Sequence, residues 1–191
     1  MVLTLKTAIE VPATLTAFAN IYLAARANIW NWLFGIFAVI LYGIIFYMTR
    51  LYGDMTLQVV YLFFQFYGFY QWKYGGEAAS ALSVSRMPLT QYFYLTGIFF
   101  VLFGAFYGVL SHYTNSNTPM IDAFTTALSL IAQWMMCRKW LENWWLWIFM
   151  DCMSLYMYMY KHLYLTTGLY AIFIVLCIMG CREWKKSIKP K

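Results

Sequence analysis

The chain has 191 residues, of which 63% are hydrophobic, 22% aromatic and only 10% charged, with a formal net charge of +6. Soluble globular domains carry about 25% charged residues, so this composition excludes a soluble fold and predicts an integral, all-α membrane protein. In a membrane protein basic residues report orientation first, so the positive charge does not predict a nucleic-acid partner. The partner implied by composition is the lipid bilayer.

Seven apolar segments are long enough to cross a bilayer, since a spanning helix needs about 20 mostly apolar residues. In chain order they lie near residues 7–25, 29–49, 55–73, 92–112, 121–137, 143–161 and 164–182. The longest connection, between spans three and four, carries Gly75, Gly76 and Pro88. This pattern predicts a three-helix bundle over 1–73, loops and a connector helix over 74–117, and a second bundle with a basic tail over 118–191.

Basic residues are distributed unevenly between the two sides of the predicted membrane protein. With seven spans, ten of the 13 Lys and Arg residues fall on the C-terminal side and three on the N-terminal side. Those three are Lys6, Arg50 and Lys161. The positive-inside rule therefore predicts an external N-terminus and a cytoplasmic C-terminus.

Two pairs of short motifs predict an internal repeat. RANIWNWLFG at the start of span two matches LENWWLWIFM at the start of span six at an offset of 115 residues. GFYQWK at the end of span three matches GCREWK at the end of span seven at an offset of 112 residues. The matches predict two three-helix copies joined by span four, and an odd connector gives a parallel repeat. This three-plus-one-plus-three plan is that of SWEET-type transporters, which bind substrate near the midplane between the bundles.

Polar side chains within the spans are candidates for a substrate site, because lipid does not tolerate them. On spans three, five and six they recur at spacings of three and four residues, which places them on single helical faces. The candidate binding residues are Trp147, Asp151, Asn143, Gln65, Tyr61, Asp122, Ser129 and Gln133, with Asn28 and Trp30 added as span-two members of the repeat. For any single polar residue, a hydrogen bond between helices is the alternative interpretation.

Asp151 is the candidate that packing explains least. An ionisable group about two turns into a span costs roughly 2.5–3.5 kcal/mol on insertion scales, and no Lys or Arg lies at matching depth. A cationic ligand or a shared proton is therefore its expected partner. Trp147 lies one turn earlier on the same face, and an indole beside a carboxylate suits a flat, positively charged ring.

The remaining tryptophans and the cysteines and histidines have simpler interpretations. Tryptophans at span ends are expected to be interfacial anchors, namely Trp32, Trp72, Trp140, Trp144 and Trp184. The four cysteines form no CxxC pair and the two histidines lie in predicted loops, so no metal or cofactor is expected. No residues show catalytic spacing, so the chain is not expected to be an enzyme, although an integral membrane enzyme is the alternative from another class.

The stretches ENWWLWIFMD, FFQFYGFYQW and IYLAARANIWNWLFG resemble the PnuC family of vitamin transporters, and the resemblance extends from Glu10 to Lys186. It implies the SWEET-like seven-helix plan, a location in the inner membrane of a bacterium, and a homotrimer as a possible assembly. It also implies uptake of an unphosphorylated vitamin by facilitated diffusion, with trapping by a cytoplasmic kinase. Nicotinamide riboside members share a Trp-x3-Trp-x3-Asn pattern on span six, where this chain has Asn143, Trp147 and Asp151. That departure favours thiamine, which is also a cation, with nicotinamide riboside as the alternative substrate.

Overall fold

The computed structural model describes residues 2–114, 118–160, 162 and 164–188. These residues form seven α-helices, which confirms the all-α class and the helical character of every predicted span. The helices are α1 (Val2–Ala25), α2 (Asn31–Met48), α3 (Tyr52–Tyr74), α4 (Leu89–Tyr113), α5 (Pro119–Cys137), α6 (Asn143–Tyr160) and α7 (Tyr164–Ser187). A short 3-10 turn over Glu77–Ala79 lies in the loop between α3 and α4.

In the described part of the chain, five helices are long and apolar enough to cross a membrane by length and composition. Their spanning segments are Ala8–Ala25, Asn31–Met48, Leu89–Tyr113, Pro119–Cys137 and Thr167–Ser187. α3 and α6 are not among them, and both contain polar residues within the helix, such as Gln58, Gln65 and Asp151. The two helices that fall short are thus two of the three that carry candidate binding residues.

Several helix bounds in the two halves of the predicted repeat are 112 residues apart. α2 and α6 each contain 18 residues, and both ends of α6 lie 112 positions after those of α2. α1 and α5 end at Ala25 and Cys137, and α3 and α7 begin at Tyr52 and Tyr164, which are the same distance apart. Each helix of the first copy therefore corresponds to one helix of the second without an insertion.

The turns between these helices repeat as well. Ala27 after α1 and Lys139 after α5 both have a left-handed φ, of 52° and 54°. Arg50 after α2 and His162 after α6 also correspond, with φ values of 59° and 56°. The hydrogen bonds also correspond, since the Asn28 amide donates to the Leu23 carbonyl at 2.9 Å and the Trp140 amide to Met135 at 3.1 Å. Such six-to-one bonds close the C-terminus of a helix and set the direction of the chain beyond it.

The helix bounds therefore disagree by three residues with the offset of 115 predicted at the start of α2. The offset of 112 predicted near the end of α3 agrees with the bounds of α2 and α6. The error arose because Asn28 and Asn31 each precede a Trp within two residues, so the motif could be aligned in two registers. In the structure Asn31 and Trp32 correspond to Asn143 and Trp144, and both asparagines begin their helices.

By its contacts the chain divides into two compact units. The first comprises Met1–Val84, Cys137–Lys139 and Met179–Lys191, and the second comprises Ser85–Met136 and Trp140–Ile178. The first unit therefore contains α1, α2 and α3 with the C-terminal part of α7, and within it α2 packs against both α1 and α3. The second contains α4, nearly all of α5, α6 and the N-terminal part of α7.

A buried tryptophan cluster forms part of the core of the first unit. Trp32, Trp72 and Trp184 are each at most 1% exposed, and the Trp72 ring centroid lies 5.2 Å from that of Trp32 and 5.8 Å from that of Trp184. The Trp184 Nε1 donates a hydrogen bond to the Ala24 carbonyl at 2.9 Å. Gly68 gives the Trp32 ring its space, because a Cβ atom there would overlap the indole.

The expectation that the span-end tryptophans are interfacial anchors is wrong for all five. Besides the three of this cluster, Trp140 and Trp144 are 7% and 1% exposed in the second unit. Position at a span end does not distinguish an indole that faces the lipid headgroups from one that packs inside the protein. The strongly exposed indoles are those of Trp30 and Trp145, at 58% and 61%.

Lys139 is a buried cation in the turn between α5 and α6. Its Nζ donates a hydrogen bond to the Leu82 carbonyl at 2.8 Å and lies 4.3 Å from the centroid of the Trp72 ring. Loss of hydration lowers the pKa of this amine from 10.5 to about 8. The contact ties the loop that follows α3 to the tryptophan cluster of the first unit.

Candidate substrate-binding site

One face of α6 carries three of the predicted binding residues in the second unit. Asn143, Trp147 and Asp151 are spaced four apart, so their side chains leave the helix in nearly the same direction. Asn143 is fully buried, Asp151 is 9% exposed and Trp147 is half-buried. An amide, an indole and a carboxylate thus succeed one another along α6.

This face holds buried polar atoms without partners in the described residues. The Asn143 Nδ2 donates to the Trp140 carbonyl at 2.5 Å, but its Oδ1 accepts no hydrogen bond. The Trp147 Nε1 is also buried and has no acceptor. Because buried polar groups are nearly always hydrogen-bonded, an unpaired acceptor and an unpaired donor on one helical face point to a ligand or to bound water.

The Asp151 carboxylate has no cationic partner in the described part of the chain. The two ion pairs found there join Arg86 to Glu142 and Lys186 to Glu183. Instead, the Cys177 thiol on α7 lies 3.6 Å from the Asp151 Oδ2 and donates a hydrogen bond to it. This agrees with the sequence argument that no basic residue in the spans neutralises Asp151.

A second polar cluster lies in the first unit. Gln65 on α3 and Asn31 on α2 are 6% and 1% exposed, and neither the Gln65 Oε1 nor the Asn31 Oδ1 has a partner among the described residues. The Asn20 Nδ2 on α1 donates to the Asn31 backbone carbonyl at 2.7 Å. Gly35 makes room for this cluster, since a Cβ there would collide with the amides of Gln65 and Asn20.

Sequence reasoning found Gln65 but missed Asn20, Asn31 and Gly35. An alignment of the repeat at an offset of 112 could have identified Asn31, because Asn31 then corresponds to Asn143. No comparable pattern marks Asn20, whose importance depends on the packing of α1 against α2.

The remaining candidates on α3 and α5 are half-buried and fall in different units. Tyr61 belongs to the first unit with Gln65, whereas Asp122, Ser129 and Gln133 lie on α5 in the second. The Thr118 hydroxyl donates to the Asp122 carboxylate at 3.2 Å, and the Ser129 hydroxyl donates to the Thr126 carbonyl at 2.9 Å. These local bonds occupy part of the hydrogen-bonding capacity of Asp122 and Ser129.

Asn28 and Trp30 lie in the turn between α1 and α2, where both side chains are exposed. The Asn28 Oδ1 accepts a hydrogen bond from the Trp30 amide at 3.0 Å, which is a local turn contact. At the corrected offset of 112 their counterparts are Trp140 and Glu142, so the repeat no longer relates them to Asn143 and Trp145.

The two copies of the predicted repeat differ at several positions of the candidate site. At an offset of 112, the second copy has Trp147, Asp151 and Cys177 where the first has Gly35, Val39 and Gln65. The indole and the carboxylate that suit a cationic ring are therefore confined to the second copy, although the backbone positions recur in both.

Among the described residues, five membrane-length helices are typical of a multi-pass membrane protein, and the buried polar atoms without partners are candidates to bind a ligand, as in solute transporters. The model of the nicotinamide mononucleotide transporter family matches residues 7–186. The chain therefore belongs to that family and is a PnuC-family vitamin transporter.

Several relatives of known function resemble this chain along most of its length. The nicotinamide riboside transporter PnuC of Escherichia coli strain K12 is 26% identical, and the match covers 96% of this chain and 87% of that protein. The protein of the same name from Neisseria mucosa is 29% identical over 93% of this chain and 72% of its own length. The crystal structure of the vitamin B3 transporter PnuC matches with a TM-score of 0.72 at 24% identity, over 97% of this chain and 88% of that one, which supports the fold.

Proposed function

We propose that this protein carries an unphosphorylated, positively charged vitamin across a bacterial inner membrane, and that nicotinamide riboside is the substrate. The observation that carries the proposal is the face of α6, where a buried carboxylate without a cationic partner follows an indole by one turn. A pyridinium ring can stack on Trp147 while Asp151 offsets its charge. The names of the relatives favour nicotinamide riboside over the thiamine that the sequence alone favoured.

Thiamine is the second candidate because of one specific residue. Asp151 stands where the nicotinamide riboside pattern has an asparagine, and a carboxylate adds a full negative charge and accepts hydrogen bonds without donating any. Thiamine presents both a cationic ring and an amino group, and each can bind a carboxylate. Substrate selectivity must therefore be measured with both vitamins.

We propose further that α1–α3 and α5–α7 form the SWEET-like parallel repeat, joined by α4, with an external N-terminus. The offset of 112 residues between several helix bounds and the excess of basic residues on the C-terminal side support this arrangement. A cysteine placed at exposed Ser187 should react with an impermeant maleimide only from the cytoplasmic side, in a background where Cys152 is Ala. Labelling from outside would reverse the proposed orientation.

Transport is proposed to be passive, with net uptake maintained by phosphorylation inside the cell. Asp151 supplies one negative charge and the vitamin one positive charge, so the occupied site is neutral without a coupling ion. A kinase that converts the vitamin to its phosphate would keep the internal concentration of transportable substrate low. Because the family is one of transporters, an enzymatic function is not proposed.

Uptake into kinase-free vesicles tests the substrate and the mechanism together. Purified protein in liposomes should admit labelled nicotinamide riboside until the internal and external concentrations are equal, and imposed proton or sodium gradients should not raise that plateau. Protein-free liposomes give the background, and thiamine is measured in parallel. Faster saturable entry of thiamine would make it the substrate, and accumulation driven by an ion gradient would refute passive transport.

A further inference from the structure

We propose that Cys177 is a positioning residue, whose thiol holds the Asp151 carboxylate in the orientation that receives the positive charge of the substrate. The inference rests on the proposed function, because it assumes that the α6 face binds a cation. It assigns a role to a residue on α7, outside the α6 motif and outside the set that sequence reasoning selected.

The contact on which the inference rests is buried and connects two helices. Cys177 is 3% exposed and Asp151 is 9% exposed, and the thiol lies 3.6 Å from the Asp151 Oδ2. Among the described residues, the thiol is the one group that donates a hydrogen bond to this carboxylate. Tyr170, also on α7, is the other titratable side chain that interacts with Asp151.

The repeat explains why a cysteine occupies this position. In the first copy the corresponding residue is Gln65, and its long amide fits only because Gly35 lacks a side chain. In the second copy the residue corresponding to Gly35 is Trp147. The larger side chain of the pair is therefore on α3 in the first copy and on α6 in the second. Cys177 is smaller than Gln65 and still retains a hydrogen-bond donor.

The chemistry of the thiol suits a positioning role. A thiol is a weak donor and carries no charge, so it can fix one carboxylate oxygen without neutralising the group. A Lys or Arg at this position would pair with Asp151 and compete with a cationic substrate. The carboxylate therefore keeps its charge for the ligand while its rotation is restricted.

Binding of matched charged and neutral ligands tests this role. Cys177→Ala should weaken binding of nicotinamide riboside by about three- to tenfold, because a thiol is only a weak hydrogen-bond donor to the charged carboxylate. Its reduced, uncharged dihydro form should bind the variant and the parent equally. Cys177→Ser retains a donor and should keep the parental ratio of the two affinities, and Cys152→Ala on α6 is the matched control. If Cys177→Ala weakens the binding of both ligands equally, Cys177 has only a packing role and the inference is wrong.

Infrared spectroscopy of the ligand-free protein examines the contact separately. The S–H stretching band that disappears in Cys177→Ala should shift in Asp151→Asn, because the acceptor has changed. An unshifted band would overturn the inference whatever the binding data. If the parent protein bound neither vitamin, the proposed function would fail, and the infrared band would still decide whether the thiol binds the carboxylate.

Discussion

Replacing Trp147 with Ala should weaken binding of the cationic vitamin by about two- to thirtyfold. A stacked cation–π contact contributes about 0.5–2 kcal/mol, and more when water is excluded, while each 1.4 kcal/mol corresponds to a tenfold change in affinity. Trp147→Phe should retain much of the affinity, because it keeps a ring for stacking and removes only the unpaired Nε1 donor.

Asp151→Asn separates the two candidate vitamins on the same helical face. Removing the charge should weaken thiamine binding by about ten- to a hundredfold, since a charge-assisted hydrogen bond contributes about 1.5–3 kcal/mol. The amide restores the residue found in the Trp-x3-Trp-x3-Asn pattern, so the affinity for nicotinamide riboside relative to thiamine should rise.

Calorimetric titration of both vitamins against these variants in detergent measures the effects directly. Trp145→Ala is the control, because Trp145 lies on the same helix and is 61% exposed. Trp144 is unsuitable as a control, because it is 1% exposed and its removal would leave a cavity. If Trp145→Ala loses binding while Trp147→Ala and Asp151→Asn retain it, the wrong face of α6 has been assigned.

The helices could be predicted from sequence because their signal is local. A run of about 20 apolar residues bounded by polar or charged residues predicts a spanning helix without knowledge of its neighbours. The predicted spans 29–49 and 143–161 correspond to α2 (Asn31–Met48) and α6 (Asn143–Tyr160) within two residues at each end. Asp151 could be selected for the same reason, since a carboxylate inside an apolar run is costly wherever the helix packs.

Features that depend on packing could not be predicted in this way. The burial of Trp32, Trp72 and Trp184 follows from their contacts with one another, and a motif at a span end does not reveal those contacts. The thiol of Cys177 became relevant only when α7 was seen to bring it to Asp151. The sequence alone allowed two alignments of the repeat, and the left-handed turns at Ala27 and Lys139 distinguish between them.

Gly68→Ala should destabilise the protein, although it adds a single methyl group. The new Cβ would overlap the ring of Trp32, which is 1% exposed and packs edge-on against Trp72 at 5.2 Å. Overpacking a filled core costs about 1–3 kcal/mol, which corresponds to roughly 2–4 °C of melting temperature per kcal/mol in a chain of this size. The apparent midpoint in detergent, followed by tryptophan fluorescence at a fixed heating rate, should therefore fall by several degrees.

A matched control and a second-site change make this test specific to the tryptophan cluster. Gly53→Ala lies on the same helix, where a Cβ meets no atom within 4 Å, so it should leave the midpoint unchanged or raise it slightly through better helix propensity. Trp32→Leu should lower stability by leaving a cavity, but the double variant with Gly68→Ala should be more stable than the sum of the two losses predicts. If the two losses of stability are additive, the methyl group and the indole do not compete for the same space. The described packing of α3 on α2 at Gly68 would then be wrong.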